Sequence, residues 1–138
     1  MPNTPDQALQ QEWHTLQNHH EQHERNALLI KLAAVALAAA SPLALPIWSA
    51  ASLLLVLWLQ EGILRTSQSR LGERILRIEQ VLRAAAPAAA CQLHSEWLAG
   101  RPGTAGLLAE YVKNALRPTV AFPYVPLLLL TGLLALAG

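Results

Sequence analysis

The chain has 138 residues, of which 53% are hydrophobic and only 14% charged, with a formal net charge of +1. Soluble domains carry roughly 25% charged residues, so the deficit points to a membrane, and the near-neutral balance excludes the dense basic face that nucleic acid requires. The single cysteine, Cys91, allows no intramolecular disulfide and belongs to no metal-ligand spacing, and it reads as a small inert residue.

Residues 1–24 contain Asp6, Glu12, Glu21 and Glu24 but neither Lys nor Arg. They lack the basic start and early apolar run of a secretory signal. Within and beyond them, Leu9, Trp13, Leu16, His20, His23, Ala27 and Ile30 are spaced alternately by four and three. That is the seam of a helix packing along another helix.

The stretch "NHHEQHERNALLIKL" (18–32) raises the question of a metal site. His19 and His23 stand four apart, on one helical face, with His20 on the seam and Glu24 beside them. A zinc site needs three or four ligands, only His14 and His94 remain as further histidines, and "HEQHE" lacks the H-E-x-x-H spacing of zinc proteases. His19, His20 and His23 are therefore weak metal candidates. They read first as polar residues where a helix meets the water–membrane border. A pH-responsive seam is the other reading, since two protonated imidazoles repel.

Residues 26–60 are almost uninterruptedly apolar and too long for one crossing of about 20 residues. "SPLALP" (41–46) divides them. Ser41 suits an N-cap and Pro42 the first helical position, which predicts crossings at about 27–40 and 43–59. Lys31 lies close enough to the end of the first to snorkel, and Trp48 and Trp58 suit the two interfaces of the second. Lys31 and Glu61 lie near the same border and form a potential interhelical ion pair.

Past the second crossing, Leu57, Leu64, Leu71 and Ile78 recur every seven residues, with Ile75 and Leu82 between them. Pairing Leu9 with Ile78, Leu16 with Leu71, His23 with Leu64 and Ile30 with Leu57 gives a constant position total of 87. That total places a fold-back at 43.5, inside "SPLALP". The expected interaction seam comprises Leu9, Trp13, Leu16, Leu64, Leu71, Ile75, Ile78 and Leu82. Each arm outside the membrane would be roughly 30 Å long for about 20 residues.

"AAAPAAA" (84–90) contains a helix breaker that should end the long helix near Ala86. A short helix with Gly100 as its C-cap follows. A second, capped by Thr104, places Leu107, Leu108, Tyr111, Val112 and Ala115 on one face, as an interfacial helix does. Residues 119–138 form a third crossing, with Pro123 and Pro126 in its first turns. The fold class expected is thus an all-α integral membrane protein. Its parts are an antiparallel hairpin (1–86) of two transmembrane helices extended as a cytoplasmic coiled coil, amphipathic cytoplasmic helices (87–118), and a C-terminal transmembrane helix (119–138).

The stretch from Gln60 to Pro118 holds Arg65, Arg70, Arg74, Arg77, Arg83, Arg101, Lys113 and Arg117, while "SPLALP" holds no basic residue. The excess predicts a multi-pass protein of a bacterial-type inner membrane, N-terminus cytoplasmic and C-terminus periplasmic. No nucleophile motif, phosphate-binding loop or pair of intramembrane carboxylates is present. The sequence therefore points away from an enzyme, and calls for no cofactor, nucleic acid or small-molecule substrate. A small accessory or scaffold protein is the leading expectation, with membrane lipid and either a protein partner or further copies of itself as its contacts. A holin-like or toxin-like membrane-permeabilising oligomer and a His-based metal or pH regulator are the alternatives.

Overall fold

The computed structural model describes residues 4–84 and 90–137. These form five helices: α1 (Pro5–Ala44), α2 (Ile47–Ala84), α3 (Leu93–Gly100), α4 (Thr104–Ala115) and α5 (Pro118–Ala137). No strand occurs among the described residues. Helices α1, α2 and α5 are each long and apolar enough to cross a membrane. With 40 and 38 residues and a 1.5 Å rise, α1 and α2 are each nearly 60 Å long. That is about twice the ~30 Å thickness of the hydrocarbon core.

Ser41 and Pro42 do not start the second helix. Helix α1 runs through both to Ala44. Pro42 has no N–H to offer the carbonyl of Ala38, four residues earlier, and the neighbouring hydroxyl replaces it: Ser41 Oγ donates to Ala38 O at 2.9 Å. The chain turns instead at Leu45–Pro46. Leu45 is extended (φ −134°, ψ 143°), as a residue before proline prefers. Pro46 O then accepts from the amides of Ser49 and Ala50. The second proline, not the first, opens the second apolar helix.

Contacts between α1 and α2 have one residue number rising as the other falls: Glu12 with Arg74, Glu24 with Gln68, Lys31 with Glu61. Position totals range from 86 for Glu12–Arg74 to 92 for Trp13–Glu79 and Lys31–Glu61. The observed totals lie on both sides of the expected 87. Two cores result. Leu9, Leu16, Ile75 and Ile78 are buried together, with Trp13, Leu71 and Leu82 packed against them. Leu64 is half-buried and lies in neither core. The second core joins Ala34 of α1, Leu54 of α2 and Tyr124 of α5; small Ala34 and Ala50, both fully buried, let the helices approach closely.

The shorter elements differ from expectation at their ends. Gly100 is the last residue of α3 rather than a left-handed cap. The helix ends because Arg101 is extended before Pro102. Gly103, not Thr104, occupies the N-cap of α4. Helix α5 breaks at Phe122 (φ −81°, ψ 128°), again a residue before proline, so Pro123 starts a fresh helical segment where its missing N–H costs little. The expected end of the second helix near Ala86 lies outside the described residues.

Candidate functional site

The most unusual side chain is Glu61. It is fully buried on the part of α2 that faces both other apolar helices. Lys31 Nζ of α1 lies 3.3 Å from its Oε1, and Arg65 Nε, one turn along α2, lies 3.8 Å from the same oxygen. The Tyr124 hydroxyl of α5 faces the carboxylate as well. Lys31 Nζ also donates to the carbonyl of Thr119 at 2.6 Å, near the start of α5. One carboxylate therefore gathers charge from two helices and lies against the third. In a low-dielectric setting such a group persists only when paired.

Next to this junction α4 lies along α2 on a stripe of period four. Trp58 Nε1 donates to Ala115 O at 2.9 Å, and the Trp58 ring stacks on Tyr124 with centroids 6.1 Å apart. At Gly62 the helices touch: a Cβ there would stand 2.9 Å from Ala115 Cβ and 3.2 Å from Tyr111 O. Thr66 Oγ1 donates to Gly62 O and accepts from Asn114 Nδ2 at 2.8 Å, both residues buried. Arg70 closes the stripe with Glu110 at 3.3 Å. Packing on this stripe leaves Leu108, Val112 and Leu116 exposed, on the face opposite Tyr111 and Asn114. The face expected from sequence thus divides: Tyr111 and Ala115 meet α2, whereas Leu108 and Val112 point away.

A third polar cluster lies further along α2. Arg74, only 5% exposed, donates from Nε and Nη2 to the two oxygens of Glu12 at 3.0 and 3.1 Å, and from Nη1 to Glu96 at 2.8 Å. Arg77 meets the other oxygen of Glu96 at 3.0 Å. Cys91, in the left-handed region (φ 63°), turns its N–H onto Glu12 at 2.7 Å. Burial by itself raises the pKa of Glu12, but hydrogen bonds from Arg74 and Cys91 and the charge of Arg74 outweigh it and hold the carboxyl below its ordinary range. Arg74 is affected the other way: burial disfavours its charge, while Glu12 and Glu96 more than compensate and raise its pKa.

The histidines are divided. His23 Nδ1 lies 2.9 Å from the carbonyl of His19 on its own helix. His19 and His23 line one cleft together with His94 and Trp97, and His20 lines another with Arg65 and Arg117. No group of three or more His, Cys, Asp or Glu able to hold a metal ion occurs among the described residues. Of the expected seam, Leu9, Trp13, Leu16, Leu71, Ile75, Ile78 and Leu82 come together.

Sequence reasoning passed over Trp58, Gly62, Thr66 and Asn114 as one surface, although 58, 62, 66 and 70 share a helical face with a glycine among bulky neighbours. Arg70, Arg74 and Arg77 belong to the basic excess of the sequence, and the first two are drawn into the packing between helices. Only Arg77 is well exposed. Comparison of the chain with family models, with curated proteins and with solved structures finds no match.

Proposed function

We propose that this protein is a membrane-anchored scaffold whose paired α1 and α2 arms project into the cytoplasm as a coiled-coil hairpin and dock a protein partner or a second copy. It performs no catalysis of its own. The observation that supports this reading is the core of Leu9, Leu16, Ile75 and Ile78. It lies about 15 residues beyond the charge-free runs of both helices, on stretches that exceed the span of a bilayer. The arms are stiffened there by buried Arg74, and Leu76 stays 58% exposed on the outer side of the same segment of α2. A stiff strut with an exposed apolar position suits docking, not passage of solute.

The basic excess between Gln60 and Pro118 supports an orientation with the arms, the N-terminus and α3–α4 on the cytoplasmic side of an inner membrane and the end of α5 on the other. A photo-crosslinking side chain at Leu76 tests the scaffold reading in cells. A discrete crosslinked species of fixed stoichiometry, lost when Leu16→Asp breaks the core of the arms, is expected. Loss of membrane potential on expression, without any such species, would replace the scaffold with the permeabilising reading.

A further inference from the structure

We infer that the cleft between α1, α2 and the start of α5 is a binding site for the phosphate headgroup of an anionic phospholipid. The inference depends on the three apolar helices being membrane crossings, not on the scaffold role. The cleft has a volume of about 410 Å³, and its lining includes His20, Glu24, Arg65, Ser69, Arg117 and Thr119.

Its level in the bilayer follows from counting. Nineteen residues separate Pro46, at the far turn, from Arg65. At a 1.5 Å rise that distance is about 30 Å, the thickness of the hydrocarbon core. The second crossing therefore brings Arg65 to the boundary, and Arg117, the residue before α5, lines the same cleft. The Lys31–Glu61 pair falls about 6 Å deeper, since Glu61 is four residues short of Arg65.

Chemistry agrees with position. Arg65 donates from Nη1 to Gln68 Oε1 at 2.6 Å, whereas Glu24 at 3.9 Å and Glu61 at 3.8 Å stand beyond hydrogen-bond length, and Glu24 is 59% exposed. No carboxylate stands in ion-pair range of Arg117 among the described residues. Arg117 immediately precedes α5, and its carbonyl accepts from the amides of Val120 and Ala121, which fixes its backbone beside the cleft. Guanidinium groups, an imidazole and the hydroxyl of Thr119 are the donor set for phosphate oxygens, while Ser69 gives its hydroxyl hydrogen to the Thr66 carbonyl. A basic pocket between crossings at the headgroup layer is where anionic lipid is held.

The test uses the full chain in detergent micelles, titrated with phosphatidylglycerol or phosphatidylcholine, bound lipid being counted by native mass spectrometry. Phosphatidylglycerol binds more tightly, Arg117→Gln weakens it about fivefold, and Arg65→Gln with Arg117→Gln weakens it roughly thirtyfold. Arg83→Gln, on the outer part of α2, leaves it unchanged. Because Arg65 also touches Glu61, the Arg117→Gln result decides if the double variant does not fold. Equal affinity for the two lipids, or an Arg117→Gln protein that binds like the parent, overturns the inference. Displacement of phosphatidylglycerol by an equal concentration of inorganic phosphate would also overturn it, by making the site one for free phosphate.

Discussion

Arg74 holds both carboxylate oxygens of Glu12, 62 positions earlier in the chain, at 3.0 and 3.1 Å, and both side chains are at least nine-tenths buried. Removing one member of such a pair leaves the other as an uncompensated buried charge, which costs about 3–5 kcal/mol. Glu12→Ala or Arg74→Ala should therefore loosen the outer ends of α1 and α2 by that amount. Glu12→Leu combined with Arg74→Met should cost far less. Amide hydrogen exchange over residues 5–25 measures both, and equal loosening by single and double variants would refute the pairing.

The same pair sets a pH dependence. Glu12 has a folded pKa below its unfolded value, so the unfolded state binds the proton more readily. Its contribution is fully present above the ordinary carboxylate range near pH ~4.3. It is lost as pH falls through the lower folded value. Trp13 lies in the adjoining core, and its fluorescence should report loosening of the arms on acidification. Glu12→Gln should flatten that acid limb, and an unaltered limb would assign it to other groups.

Glu61 and Lys31 predict a matching result deeper in the structure. Lys31→Met alone reduces the compensation of a fully buried carboxylate and should cost about 3–5 kcal/mol less what Arg65 recovers. Glu61→Gln with Lys31→Met should be close to neutral. Thermal unfolding in detergent separates the two outcomes, because a pair without mutual dependence would give additive losses.

At Gly62 there is no room for a methyl group. Gly62→Ala brings a Cβ to 2.9 Å from Ala115 Cβ and should destabilise by about 1–3 kcal/mol through overpacking. Ala115→Gly should recover part of the loss by removing the opposing methyl. Displacement of α4 also breaks the Trp58–Ala115 hydrogen bond. A red shift in Trp58 emission, with the other tryptophans replaced by Phe, is the expected signal.

Ser41 and Pro42 should behave as a unit. Ser41→Ala leaves the Ala38 carbonyl without its hydroxyl donor and should cost about 1 kcal/mol. In a Pro42→Ala background the restored amide takes over that carbonyl, and Ser41→Ala should be nearly neutral. A full cost in both backgrounds would show that Ser41 acts in some other way.

Much of the architecture was legible because it rests on local, repeated signals. Three charge-poor runs mark the apolar helices, and a seven-residue period marks the faces that pack outside them. The turn was misplaced because "SPLALP" offers two prolines, and Ser41 before the first makes the better N-cap pattern. The choice between them depended on whether a hydroxyl could replace the amide that Pro42 lacks, a matter of one side-chain orientation. The seam survived the later turn, since Leu9, Leu16, Leu71 and Ile78 still meet in one core.

The sequence by itself determined the helical class, the number of apolar helices and the residues Leu9, Leu16, Ile75 and Ile78 as a seam, because hydrophobic period and length are properties of the chain alone. Only the tertiary structure decided that Glu61 is buried between Lys31 and Arg65, that Gly62 receives Ala115, and that Arg74 links Glu12 to Glu96. Each of these joins residues at least 20 positions apart, apart from the local Glu61–Arg65 contact. The energy of each comes from desolvation and close approach, which no short stretch of sequence contains.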